Sequence, residues 1–220
     1  MPGIGRCLEH AAGHERIGSI RRFNAAPAIA RSLHIWGIVS LTPMKTDPDL
    51  RQYRIAIVVG VNHKIQHFIP GLVPDDPRTV LRLRFRDFLH EITGYPVDVI
   101  CEEAKHGLVS IAETVADREH LRYCNIEMSP QRRAELGIPL SFTTDVPRSD
   151  FPSEQMAKWN ALRESHMVDG LLDAVADARV LIVICRVSQM PVFMEALQSK
   201  FARVEPHDVT AMRWFDRSLL

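Results

Sequence analysis

The sequence predicts an α/β domain, a mostly parallel sheet of about five strands with helices on both faces. Two observations carry this reading. Short, nearly unbroken apolar runs recur along the chain, RIAIVV over residues 54–59 and RVLIVIC over 179–185 among them. They lack the polar alternation of a half-exposed strand. Between them lie longer helical patterns, which is the spacing that crossover connections between parallel strands require.

The first strand starts at Arg54 and is read as stopping at Gly60, in a turn that presents Asn62 and His63 at the strand's carboxyl edge. Pro70, Pro74 and Pro77 mark a linker. A helix then runs over 78–93, where Phe85, Phe88, Leu89 and Ile92 share one face. Gly94 supplies its stop before Pro96. Residues 97–101 form the second strand, which delivers Glu102, Glu103, Lys105 and His106. The second helix is placed over 108–120, with Leu108, Ile111, Ala112 and Val115 toward the core.

A third strand falls within 121–128, after which Ser129 and Pro130 serve as N-cap and first-turn proline of a short helix over 131–136. Residues 137–152 carry no period, the signature of a functional flap or of disorder. The longest helix spans 153–176, with Gly170 a candidate bend. The apolar run at 179–185 makes a central strand, and a helix over 191–201 and a strand over 202–209 complete the set.

Composition narrows the function classes. Lys and Arg number 27 and so do Asp and Glu, so no overall charge draws the chain to nucleic acid or to an anionic membrane. No apolar run approaches the ~20 residues of a membrane-spanning helix. Cys7, Cys101, Cys124 and Cys185 lack CxxC spacing and are expected as free thiols in a reducing, cytoplasmic setting. Residues 1–50, rich in Ala, Gly, Pro and Arg, are expected to be a poorly ordered extension ahead of a single domain over 51–220. That extension would lie upstream of a natural start at Met44, and an Arg-bearing organellar leader is the other reading of the segment.

In open parallel sheets ligands bind beyond the carboxyl ends of the strands. Those ends carry Asn62, His63, Glu102, Glu103, His106, Glu127, Arg186, Ser188 and Gln189. His63 and His67 would share a helix face if a helix began at the glycine turn. Imidazole together with Glu102 or Glu103 can hold a divalent ion, zinc or manganese, that activates water. Otherwise His63 bonds the turn and His67 is exposed. Only one of the two adjacent carboxylates can face the cleft, and Glu102 is preferred. Both are otherwise solvated charges at a helix N-terminus. Arg163 and Glu164, on the long helix, either orient an anionic substrate or support a ligand, or else form surface ion pairs with neighbours on the helix. Cys185 is expected to be buried. No GxGxxG, Walker or G-x-S-x-G pattern occurs, so no nucleotide cofactor is expected.

The turn Gly60-Val61-Asn62-His63 after a buried strand resembles the first GxxH motif of the TraB/Tiki and ChaN/EreA-like superfamily. The Arg163-Glu164 helix leading into the strand at 180–185 resembles the C-terminal half of that group. The resemblance implies an α/β fold with paired strand-end histidines and an acidic residue, some members acting as metal-dependent hydrolases. His63 would then be the first-motif histidine, and Glu102 or Glu103 its acidic partner. The second motif departs from the pattern, with Arg186 and Gln189 where Gly and His stand in the family.

The leading functional expectation is a hydrolase-like protein with a metal-assisted site. His63, Glu102 and Glu103 would be catalytic, His63 and Glu102 metal-binding, and Asn62, Arg163, Arg186 and Gln189 substrate-binding. A small molecule or peptide would be the substrate, without nucleic acid or membrane as partner. The alternative is a non-catalytic small-molecule-binding or regulatory module with a degenerate site. An interaction protein working through 137–152 or the N-terminal extension is a third class.

Overall fold

A computed structural model of the chain describes residues 54–68, 76–140 and 151–220. All of these belong to the second of two units into which the chain divides, Thr46–Leu220. The expectations for residues 1–50, for Pro70 and Pro74 and for most of the 137–152 loop lie outside the described residues.

Five parallel strands form one sheet: β1 (Ile55–Val61), β2 (Val99–Glu102), β3 (Arg122–Asn125), β4 (Val180–Arg186) and β5 (Arg203–Asp208). Their order across the sheet is β3-β2-β4-β1-β5. Helices α1 (Pro77–Thr93), α2 (Ile111–Arg118), α3 (Pro130–Glu135), α4 (Ser153–Ala174) and α5 (Met190–Gln198) fill the connections. This is the α/β architecture that the apolar strands predict.

The strands sort their side chains by parity. Ile57, Val59, Ile100, Ile182 and Ile184 pack against Leu81, Phe85, Leu89 and Ile92 of α1 and Ile111 and Val115 of α2. Ala56, Val58, Cys101, Leu181 and Val183 pack on the opposite face against Met167 and Leu171 of α4 and Phe193 and Leu197 of α5. Connections toward β3 put their helices on the first face, and connections toward β5 put theirs on the second. That is what a uniform crossover hand demands. The adjacent strands β1 and β4 therefore send their chains to opposite faces, and a crevice opens between their carboxyl ends.

Several boundaries differ from expectation, each for a physical reason. β1 does not stop at Gly60; it runs through to Val61, with Gly60 in register with Cys185 and Asp208. A Cβ on Gly60 would overlap the Met190 sulfur and lie 3.2 Å from the Val187 Cα, so this glycine serves close packing and not a turn. Helix α2 begins at Ile111, not at 108, because Ser110 is its N-cap and accepts from the amides of Ala112 and Glu113. Leu108 consequently stays outside the core, 37% exposed. Gly94 ends α1 at φ −62°, so its left-handed freedom is not used. Helix α4 continues through Gly170 to Ala174.

Candidate functional site

The crevice between β1 and β4 is a cleft of about 360 Å3. Val61, Asn62 and His63 enter it from β1, and Arg186, Val187 and Ser188 from β4. The segment after β5 closes the third side with Thr210, Phe215, Arg217 and Leu220. Local structure sets these positions. β1 ends in a 3-10 turn, His63–Ile65, capped by the Asn62 side chain, which accepts from the Lys64 amide. β4 likewise ends in a turn, Val187–Gln189, that leads straight into α5. Asp208 caps the turn that holds Thr210 and accepts from both its amide and its hydroxyl. Among the described residues, three basic side chains, His63, Arg186 and Arg217, line the cleft together with the hydroxyls of Ser188 and Thr210, and no acidic side chain does.

Arg186 is the outer member of a buried ionic network on the α4/α5 face. Its Nε donates to Glu103 Oε1 at 2.6 Å, and its amide donates to Glu103 Oε2 at 3.1 Å. Arg163 of α4 donates through Nη2 to Glu103 Oε1 at 2.5 Å and through Nε to Glu127 Oε1 at 2.8 Å. Arg133 of α3 reaches Glu127 Oε1 at 2.7 Å. The Gln189 amide, oriented to satisfy its neighbours, donates to Glu103 and accepts from Arg163 Nη1 at 3.1 Å. Burial raises the cost of charge on Glu127. The hydrogen bonds and charges of Arg163 and Arg133 outweigh that cost and hold its carboxyl below the usual range. Arg163 is therefore neither part of a surface ion pair with neighbours on its helix nor a group lining the cleft; it is 4% exposed and braces two carboxylates.

The adjacent residue faces the other way. Glu102 is fully buried on the α1/α2 side, where it accepts from the Ser110 hydroxyl, from Tyr123 Oη at 2.8 Å and from Gln66 Nε2 at 3.4 Å. Desolvation pushes its pKa up to about 7 despite those three donors. Close by, His67 is buried and bridges Ser110 through the backbone, and its Nε2 accepts from the Lys105 amide at 3.3 Å. Burial first, then the positive charge of Lys105, lowers its pKa to about 4, so the ring is neutral.

The strand-end groups expected from the sequence thus divide into three sets. Asn62, His63, Arg186 and Ser188 meet at the cleft. Glu103, Glu127, Arg163 and Gln189 meet beneath Arg186. Glu102 lies across the sheet with Ser110 and Tyr123. His106 stands apart, its Nε2 2.9 Å from the Glu127 carbonyl oxygen. The shared helix face expected for His63 and His67 does not form, because the turn after β1 is one 3-10 turn and His67 follows it in a bridge. Among the described residues no group of three or more His, Cys, Asp or Glu side chains is gathered to hold a metal ion.

Sequence reading missed Thr210, Phe215 and Arg217, which lie past the last strand and carry no motif. It also missed Ser110, although Ser110-Ile-Ala-Glu113 is an S-x-x-E capping pattern that marks the α2 start. Among the described residues no helix is long and apolar enough to cross a membrane. Compared with protein family models, with curated proteins and with solved structures, the chain matches none.

Proposed function

We propose that this chain is a small-molecule-binding α/β domain that takes an organic anion in the crevice between β1 and β4. The supporting observation is the cleft itself. It sits at the switch point of a parallel sheet and is lined by His63, Arg186 and Arg217, with no acidic side chain among the described residues. Ser188 and Thr210 supply hydroxyls for the same anionic group. Val61, Val187, Phe215 and Leu220 supply an apolar wall for the rest of the ligand. The ionic network beneath Arg186 contributes rigidity, since Glu103 fixes both its backbone amide and its guanidinium.

A second reading is a hydrolase using zinc or manganese, as the superfamily resemblance implies, and the place of His63 in the cleft favours it. Glu102 and Glu103, the acidic partners in that reading, are both held by other groups and do not line the cleft. The free thiols of Cys101, Cys124 and Cys185 support a reducing, cytoplasmic setting for either reading.

Thermal-shift titration with benzoate and with inorganic phosphate tests the binding reading. At least one anion should raise Tm saturably, and Arg217→Ala should weaken its Kd about tenfold, which is about 1.4 kcal/mol. Stabilisation by neither probe, or equal affinity in the variant, would remove the proposal. The hydrolytic reading predicts instead that wild-type protein retains zinc or manganese by elemental analysis and that His63→Ala does not.

A further inference from the structure

We propose that Cys124 is a site of oxidant modification, with Cys101 as the thiol that closes a disulfide onto it. The two residues are far apart in the sequence, but β2 and β3 pair in parallel and place Cys101 directly across from Cys124. Both side chains fall on the α4/α5 face of the sheet. Register partners on neighbouring strands stand about 4.8 Å apart, inside the range of roughly 4.4–6.8 Å that a disulfide spans between Cα atoms.

The two thiols are not equivalent. Cys101 is fully buried in β2, whereas Cys124 is half-buried on β3, the edge strand, where a small oxidant can reach it. The neighbouring Cys101 sulfur favours a thiolate on Cys124 and holds its pKa below the ordinary thiol value. The neighbouring Cys124 sulfur, with burial, pushes Cys101 up and keeps it a thiol. That asymmetry suits one attacking sulfur and one resolving sulfur.

The chemistry balances with a peroxide as oxidant. The Cys124 thiolate attacks one peroxide oxygen; an S–O bond forms, the O–O bond breaks, and the departing hydroxide takes a proton and leaves as water. The Cys101 sulfur then attacks the Cys124 sulfur; the S–S bond forms, the S–O bond breaks, and hydroxide leaves with the Cys101 proton as a second water. Two electrons pass from the thiols to one peroxide. Thiol–disulfide exchange with a dithiol should reopen the bridge.

The test treats the full chain, in a Cys7→Ser background, with equimolar hydrogen peroxide and maps it by trypsin and mass spectrometry. Cys101 and Cys124 fall in separate tryptic peptides, 87–105 and 123–132. The two peptides should be recovered joined, two hydrogens lighter than their sum, and separate after dithiothreitol. Cys185, buried on the same face, should remain alkylatable only after denaturation. In Cys101→Ser the Cys124 sulfenic acid should be captured by dimedone. Recovery of both peptides unlinked, whether reduced or with Cys124 overoxidised, would overturn the proposal, as would a link from either of them to Cys185.

Discussion

Glu102 is the residue whose environment sets the sharpest expectation. Its pKa is pushed up to about 7 in the fold, against the ordinary carboxyl value of 4.5 in the unfolded chain, so between those values the folded protein binds the extra proton. Its contribution to stability is present below pH 4.5 and is lost as pH rises through 7. The bound on that loss is about 3 kcal/mol. His67 works in the reverse sense. Its folded pKa of about 4 lies below the ordinary 6.5, so stability is lost as pH falls from 6.5 through 4. The two windows overlap and offset each other in the wild type. Glu102→Gln separates them, because denaturant unfolding of that variant should gain stability relative to wild type as pH rises from 4.5 to 7. A difference between the two proteins that stays constant over this range would show that Glu102 does not titrate there. The groups around it are Ser110, Tyr123, Gln66 and, more distantly, Glu113.

At the scale of elements, two glycines should answer the same substitution with opposite signs. Gly60→Ala puts a methyl against the Met190 sulfur and the Val187 backbone in a central strand, and should cost about 1–3 kcal/mol by chemical denaturation. Gly170→Ala adds a methyl where nothing lies within 4 Å, inside helix α4, and should stabilise by about 0.4–1 kcal/mol. A neutral Gly60→Ala would mean that α5 does not press on β1 as described. The same pair shows what a sequence discloses about elements. Apolar runs located the central strands β1, β2 and β4, and helical periods the long helices, because burial on both faces and 3.6-residue periodicity are written locally. The role of Gly60 was not local. It depends on Met190, which only the fold brings near. Helix ends written in cap chemistry, such as Asp76-Pro77 and Ser110, were legible in principle. Ends set by packing were not.

The whole molecule is organised by the parity of one strand end. Glu102 and Glu103 are neighbours in the chain, yet they anchor separate networks on the two faces of the sheet. Sequence reading gathered the strand-end polar groups onto one rim. It could not tell which of them are spent on holding the fold, because that follows from partners such as Arg163, Tyr123 and Ser110 supplied by distant elements. The buried network gives a molecule-wide prediction. Arg163→Ala leaves Glu103 and Glu127 without their shared cation and should cost about 3–5 kcal/mol by denaturant unfolding. A loss within ~0.5 kcal/mol, the ordinary range for surface substitutions, would contradict the role given to that network.

The cleft is the point at which fold and function meet, and amide chemical-shift mapping during titration with benzoate or phosphate reads it directly. Saturable shifts are expected, concentrated at 61–63, 186–188 and 210–217, the three segments that line the crevice. Shifts that never saturate, or that gather on another part of the molecule, would contradict it.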